Sequence, residues 1–230
     1  MNDFRKFYQG RHPYGMTEYD DKLLNISNGG GFINPYILEE RKLNVSQLDI
    51  FSRLMADRII FLGTEVDSIT ANIIQAQMLY LDSEEPGEDI SLYINSPGGS
   101  VYDGLGIYDT MQFITSDVKT ICTSMAASMG AVLLTAGAKG KRFSLPNSTI
   151  MVHQPMGGVP QHTQASDIEI ECEETQRIKK RIYEIMCKHN TSNMNFDDMW
   201  KLCDRNHWMP AEEAQKLGFI DKVVEKKQAE

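Results

Sequence analysis

From about Asn34 onward, short apolar runs alternate with longer amphipathic stretches. Residues 58–62 (Arg-Ile-Ile-Phe-Leu) run into Gly63 and carry the mark of a buried strand. Over 68–82, Ile69, Ile73, Ala76 and Tyr80 share one helical face, with Ile74, Met78 and Leu81 beside it. That spacing predicts a helix with a wide apolar face. A strand over 90–95 stops at Pro97-Gly98-Gly99, and helical spacing returns over 102–116 through Leu105, Tyr108 and Met111. A strand over 118–123, a helix over 128–137 and a strand over 149–153 follow. Strands alternating with helices predict an α/β architecture whose strands are buried on both faces.

Two segments depart from this rhythm. Residues 165–189 form one long helical stretch with Ile168, Ile178, Ile182 and Ile185 turned inward. At 1.5 Å per residue it reaches roughly 35–40 Å, more than a small core needs. It is either a long surface helix or one that projects to meet another subunit. Residues 1–31 mix Phe4, Phe7, Tyr8, Tyr14 and Tyr19 with Gly29-Gly30-Gly31 and show no period. They read as an extension, loose or ordered only in an assembly.

Composition narrows the function. At 230 residues the chain supports one sizeable core and an appendage. A net charge of −9 without a basic stripe argues against nucleic-acid binding. No run of about 18 apolar residues exists to cross a membrane. The N-terminus lacks an apolar signal core and carries Asp3, Glu18, Asp20 and Asp21, unlike a transit peptide. A cytoplasmic protein is expected. The four cysteines form no CxxC pair and read as reduced thiols; a zinc site from Cys172, Cys187 and a histidine has no supporting spacing. No metal is expected.

Candidate chemistry collects between Ser96 and Gly158. Ser128 falls after a predicted strand, at the first turn of a predicted helix, between Ala126 and Gly130. A serine there is often only an N-cap. Small residues at −2 and +2 also suit a tight strand–nucleophile–helix turn that exposes the hydroxyl. The Met129 N–H would then face an oxyanion formed on attack by Ser128. Gly98-Gly99 ends another strand; it is a plain turn or a second oxyanion donor, since glycine admits close backbone approach. The segment fits neither GxGxxG nor GxxxxGK[ST], so nucleotide binding is weakly supported. His153 ends a strand before Gln154-Pro155, well placed to reach the mouth of a sheet. Of the other histidines (His12, His162, His189, His207), His207 is the real competitor.

These motifs resemble the Clp protease proteolytic subunit family. The resemblance rests on residues 93–99 (Tyr-Ile-Asn-Ser-Pro-Gly-Gly), 107–114 (Ile-Tyr-Asp-Thr-Met-Gln-Phe-Ile) and 126–131 (Ala-Ala-Ser-Met-Gly-Ala). Residues 134–143, 145–147, 153–155 and 167–170 add to it, and it spans roughly Asn34 to Val224. It implies a crotonase-like α/β spiral of βαβ units, with 165–189 as a protruding handle helix. The peptidase domain would cover 34–227, and 1–33 would be a propeptide or axial-loop extension. Ser128 matches the nucleophile, His153 the general base, and Gly99 and Met129 the oxyanion donors. The implied activity is endopeptidase cleavage of unfolded polypeptides inside two stacked heptameric rings. An AAA+ unfoldase would use the ATP, leaving this chain without a cofactor. Leu54, Leu79, Tyr80, Tyr93 and Phe113 match positions of the unfoldase-docking pocket, and Ser91 stands where some relatives carry an aromatic.

One position departs from that pattern. Asn206, in Asp204-Arg205-Asn206-His207-Trp208, occupies the place of the triad carboxylate. An amide carbonyl facing His153 keeps the right tautomer but loses charge stabilisation; an amide nitrogen there gives the wrong tautomer. Asp204 is a substitute if the loop shifts. A slow or conditionally active Ser128–His153–Asn206 peptidase is therefore expected. The alternatives are a regulatory ring subunit mixed with an active paralogue, and a crotonase-type acyl-CoA enzyme sharing the fold.

Overall fold

The computed structural model describes residues 36–41 and 44–225; the extension expected over 1–33 lies outside them. The chain divides into two compact units at Asp57/Arg58. In the first, β1 (Tyr36–Arg41) pairs antiparallel with β2 (Asn44–Asp49), and α1 (Ile50–Met55) follows. Asp49 caps that helix by accepting from the N–H groups of Phe51 and Ser52, both at 3.0 Å.

The second unit carries the sheet. Its early elements are β3 (Ile59–Leu62), α2 (Ser68–Glu84), β4 (Ile90–Ser96), α3 (Val101–Phe113), β5 (Val118–Ala127) and α4 (Met129–Thr135). Then come β6 (Arg142–Ser144), β7 (Thr149–Val152), α5 (Ala165–His189), α6 (Phe196–Leu202), β8 (His207–Pro210), α7 (Ala211–Lys216) and β9 (Lys222–Val223). The strands run β3-β4-β5-β6-β9 in parallel, while β7 joins β5 in parallel and β8 joins β7 antiparallel.

β5 is longer than the expected strand over 118–123 because it changes partners partway. Thr120–Cys122 pair with β6, and Met125–Ala127 pair with β7. On its other side the β4 register slips between Ile94 and Ser96. The polar Thr123-Ser124 that reads as a strand end is this irregularity, and the strand resumes beyond it. The resumed half carries the chain into Ser128.

Three expectations about burial are corrected, the simplest being Ile168 of α5, expected inside but 44% exposed. Strands β3 and β4 are not buried on both faces: Ile90, Leu92, Ile94 and Ser96 are inside, whereas Ser91 and Tyr93 are half-buried and Asn95 is exposed. In α2 the stripe facing the core is Ala71, Ile74, Met78 and Leu81. Ile69 and Ala76, expected on the main apolar face, are exposed. When apolar residues cover so much of a helix, periodicity cannot rank its faces; packing against α3 and the sheet selects one.

A largely buried ion pair joins β6 to the residue just before β9. Arg142, 1% exposed, donates from Nε to Asp221 Oδ2 at 2.9 Å and from Nη2 to Oδ1 at 2.5 Å. Its Nη1 reaches the carbonyls of Thr135 and His189, so one guanidinium ties β6 to the C-terminal ends of α4 and α5. Burial pushes the Asp221 carboxyl up, but hydrogen bonds from Arg142 and its charge outweigh this and hold it below its ordinary 3.8. The folded value is the lower one, so this stabilisation is complete above about pH 4 and disappears as the pH falls further. Asp221→Asn is expected to destabilise by about 2 kcal/mol at neutral pH, and its stability should fall less steeply in acid. Urea unfolding at pH 7 and at lower pH checks both; an unchanged acid slope would remove Asp221 from the account.

Candidate active site

Ser128 bridges β5 and α4 with φ 53° and ψ −121°, a conformation side chains rarely adopt. It holds the N-cap position, yet its side chain makes no capping bond. Its main-chain N–H donates to Met151 O at 2.9 Å, pinning the turn to β7, the strand that delivers His153. The hydroxyl oxygen lies 2.8 Å from His153 Nε2. The strained backbone thus aims the hydroxyl at a histidine instead of at the helix.

His153 Nδ1 lies 3.0 Å from Asn206 Oδ1. With the carbonyl there, Nδ1 carries the proton and donates it, and Nε2 is left to accept from Ser128. Of the two orientations open at Asn206, this is the productive one. Asp204 does not take its place; it offers Gln154 its main-chain oxygen at 2.6 Å. His207, the competing histidine, pairs in register with Val152 and turns to Glu213 Oε1 at 3.2 Å. His189 is half-buried against Tyr108, and desolvation, with the charges of Lys188 and Arg142, pushes it down to about 4. It is a neutral structural histidine. His162 is exposed, and His12 lies outside the described residues.

The glycine turn packs directly on Ser128. At Gly98 (φ +92°) an added Cβ would fall 2.6 Å from Ser128 Cβ and 2.9 Å from Met129 N. At Gly99 (φ +149°) it would fall 2.3 Å from Val66 O. Only glycine fits either place. The Gly98 N–H is engaged by Ser96 Oγ at 3.1 Å, and the strap is fixed by Val66 N–H to Gly98 O (2.8 Å) and Ser100 N–H to Val66 O (2.7 Å). Among the described residues no protein acceptor takes the N–H of Gly99 or of Met129. Two open donors therefore flank the hydroxyl, as acyl transfer requires. Beside them a small pocket is walled by Val101, Val132, Pro155, Ile182 and Met186.

Sequence reasoning missed Ser96 and Gln154. Ser96 is fully buried and sets the turn by accepting from Gly98, and a serine just before Pro-Gly-Gly was its only signal. The residues matched to a docking pocket divide between the units. Leu54 is half-buried on α1 of the first. In the second, Leu79 is 47% and Phe113 80% exposed, and Tyr80 and Tyr93 are half-buried. Tyr93 stacks on Phe61 with ring centroids 5.2 Å apart, and Ser91 sits two residues away on the same side of β4. No three metal-ligating side chains come together among the described residues. No described helix is long and apolar enough to cross a membrane.

A hydroxyl on an imidazole, with two unpaired backbone donors at the end of a parallel sheet, is the arrangement of a serine hydrolase. The chain belongs to the Clp protease family, whose model matches residues 41–227. It is 60% identical to the ATP-dependent Clp protease proteolytic subunit of Bacteroides fragilis (strain YCH46) over 227 residues, 99% of this chain and 100% of that one. It is 61% identical to the protein of that name from Bacteroides thetaiotaomicron, with 99% and 100% covered. To the one from Porphyromonas gingivalis it is 56% identical, with 98% and 99% covered. The acyl-CoA alternative has no support beside this membership.

Proposed function

We propose that this chain is the proteolytic subunit of an ATP-dependent Clp protease, a serine endopeptidase with a Ser128–His153–Asn206 triad. The observation that carries the triad is the unbroken hydrogen-bond chain from Ser128 Oγ through both imidazole nitrogens to Asn206 Oδ1. Ser128 Oγ attacks the peptide carbonyl while His153 Nε2 takes its proton. The oxyanion is received by the Gly99 and Met129 N–H groups, and His153 returns the proton to the leaving amine. Water then hydrolyses the acyl-enzyme by the same route. Asn206 fixes the imidazole tautomer but adds no negative charge, so each proton transfer is slower than with a carboxylate. The apolar walls beside Ser128 favour an apolar side chain before the scissile bond.

The assembly follows the same reading. Residues 165–173 of α5 are exposed, while Ile178, Ile182 and Met186 of its second half are buried, which suits a handle reaching between stacked heptameric rings. Leu79, Tyr80, Tyr93 and Phe113, exposed or half-exposed, are the residues for docking an AAA+ unfoldase, which uses the ATP and delivers unfolded chains. This subunit then needs no cofactor and works in the cytoplasm. A complete triad favours a catalytic subunit over a purely regulatory ring member.

A fluorophosphonate probe followed by intact-mass and peptide mapping tests this reading. One adduct per chain, on Ser128, is expected in the assembled particle. No adduct, or one on another serine, would overturn the triad.

A further inference from the structure

One side chain joins the two loops that carry His153 and Asn206. Gln154, adjacent to His153, donates from Nε2 to the main-chain oxygen of Asp204 at 2.6 Å, two residues before Asn206. Its Oε1 accepts from Lys179 Nζ at 3.0 Å. Lys179 lies in the buried stripe of α5 beside Ile178 and is only 6% exposed. Its ammonium sits 3.7 Å from the ring centroid of Trp200 on α6 and 5.8 Å from that of Tyr183. Among the described residues no carboxylate pairs with it. A buried ammonium without a carboxylate is costly unless its donors are satisfied. Here its partners are two π faces and one amide oxygen.

The ammonium also removes any ambiguity in that amide. Lysine only donates, so Gln154 must turn Oε1 toward it, which turns Nε2 toward the Asp204 carbonyl. A flipped amide would set donor against donor and acceptor against acceptor. The separation between the end of β7 and the turn at 204–206 is thereby fixed from inside the fold. That matters more for an asparagine than for an aspartate. An imidazolium draws a carboxylate to itself and can use either oxygen; an amide feels little pull and works in one orientation only.

Resting on the triad reading above, we infer that Lys179 and Gln154 form a positioning clamp that keeps Asn206 Oδ1 on His153 Nδ1. It does by geometry what charge attraction does for a carboxylate. Neither residue touches the reacting atoms. A clamp of this kind changes turnover and not substrate binding, and it becomes less necessary once position 206 carries a charge. A purely structural role would cost the same whatever stands at position 206.

The test is peptide hydrolysis by the full-length assembled protein, with assembly state recorded for every variant. Gln154→Ala and Lys179→Met are each expected to lower kcat about three- to tenfold with KM within about twofold, and Lys179→Arg to recover most of the loss. Combined with Asn206→Asp, the Gln154→Ala loss should shrink to less than about twofold. Should Lys179→Met fail to assemble, Gln154→Ala carries the test alone, and Gln154→Leu replaces it if the alanine variant also fails. Equal losses in both backgrounds, or a rise in KM at constant kcat, overturn the clamp. Wild-type labelling at Ser128 separates the two readings. With the adduct present, a failed cycle sinks only the clamp; without it, the triad falls and the clamp with it.

Discussion

Gly98→Ala is expected to lower kcat for peptide hydrolysis by about 10²–10³-fold, because the turn it distorts carries an oxyanion donor. The added methyl would lie 2.6 Å from Ser128 Cβ, 2.7 Å from Ala127 O and 2.9 Å from Met129 N. None of these is the movable end of a side chain. The φ of +92° adds backbone strain to the collision. The strap is held on its other side by Val66, so it must either leave Ser128 or lose its bonds to residue 66. Either way the Gly99 N–H moves off the point where the oxyanion forms. Gly63→Ala is the control, since nothing lies within 4 Å of its added methyl; it should leave kcat within about twofold. Steady-state kinetics on a fluorogenic peptide, with sedimentation to confirm assembly, decide the matter. Wild-type turnover in Gly98→Ala would show that the turn takes no part in the chemistry.

Position 206 governs the second large effect. Asn206→Asp is expected to raise kcat about tenfold and Asn206→Ala to lower it about tenfold, a span of roughly two orders of magnitude. The Asn206 carbonyl already accepts from His153 Nδ1 at 3.0 Å, so the imidazole tautomer is right. What the amide lacks is negative charge. A charge-assisted hydrogen bond exceeds a neutral one by about 1–2 kcal/mol, and that difference appears only when the ring becomes an imidazolium. KM should therefore stay nearly constant while kcat moves. Alanine leaves Nδ1 to water and loses the tautomer control as well. If aspartate left kcat unchanged, the amide would already supply all that the base requires, and the slow-peptidase reading would fail.

Much of the site is legible in the sequence. Ser128 between small residues, Gly98-Gly99 after a strand and His153 at a strand end each carry a local chemical reason, and the fold brings all three together. The helix expected over 165–189 has those bounds in the structure, because a sustained 3.6-residue period is the strongest local signal a chain gives. Asn206 was placed by resemblance, not by periodicity. Its bond to His153 crosses 53 residues of sequence and depends on β7 and β8 lying side by side.

Other features had no local signature. The continuation of β5 past Thr123 depends on β7 taking over as a partner, and short elements such as β6, β8 and β9 exist only because a neighbouring strand completes their hydrogen bonds. The buried face of α2 was chosen by what packs on it, not by its apolar content. By itself, the sequence determined which residues were chemically able to act and which stretches had to be helix or strand, because both depend on neighbours along the chain. Only the tertiary structure decided that Ser128 abandons its helix cap for His153, that Asn206 presents its carbonyl, and that a buried lysine 25 residues away holds Gln154. Those are distances between segments remote in sequence, and packing alone sets them.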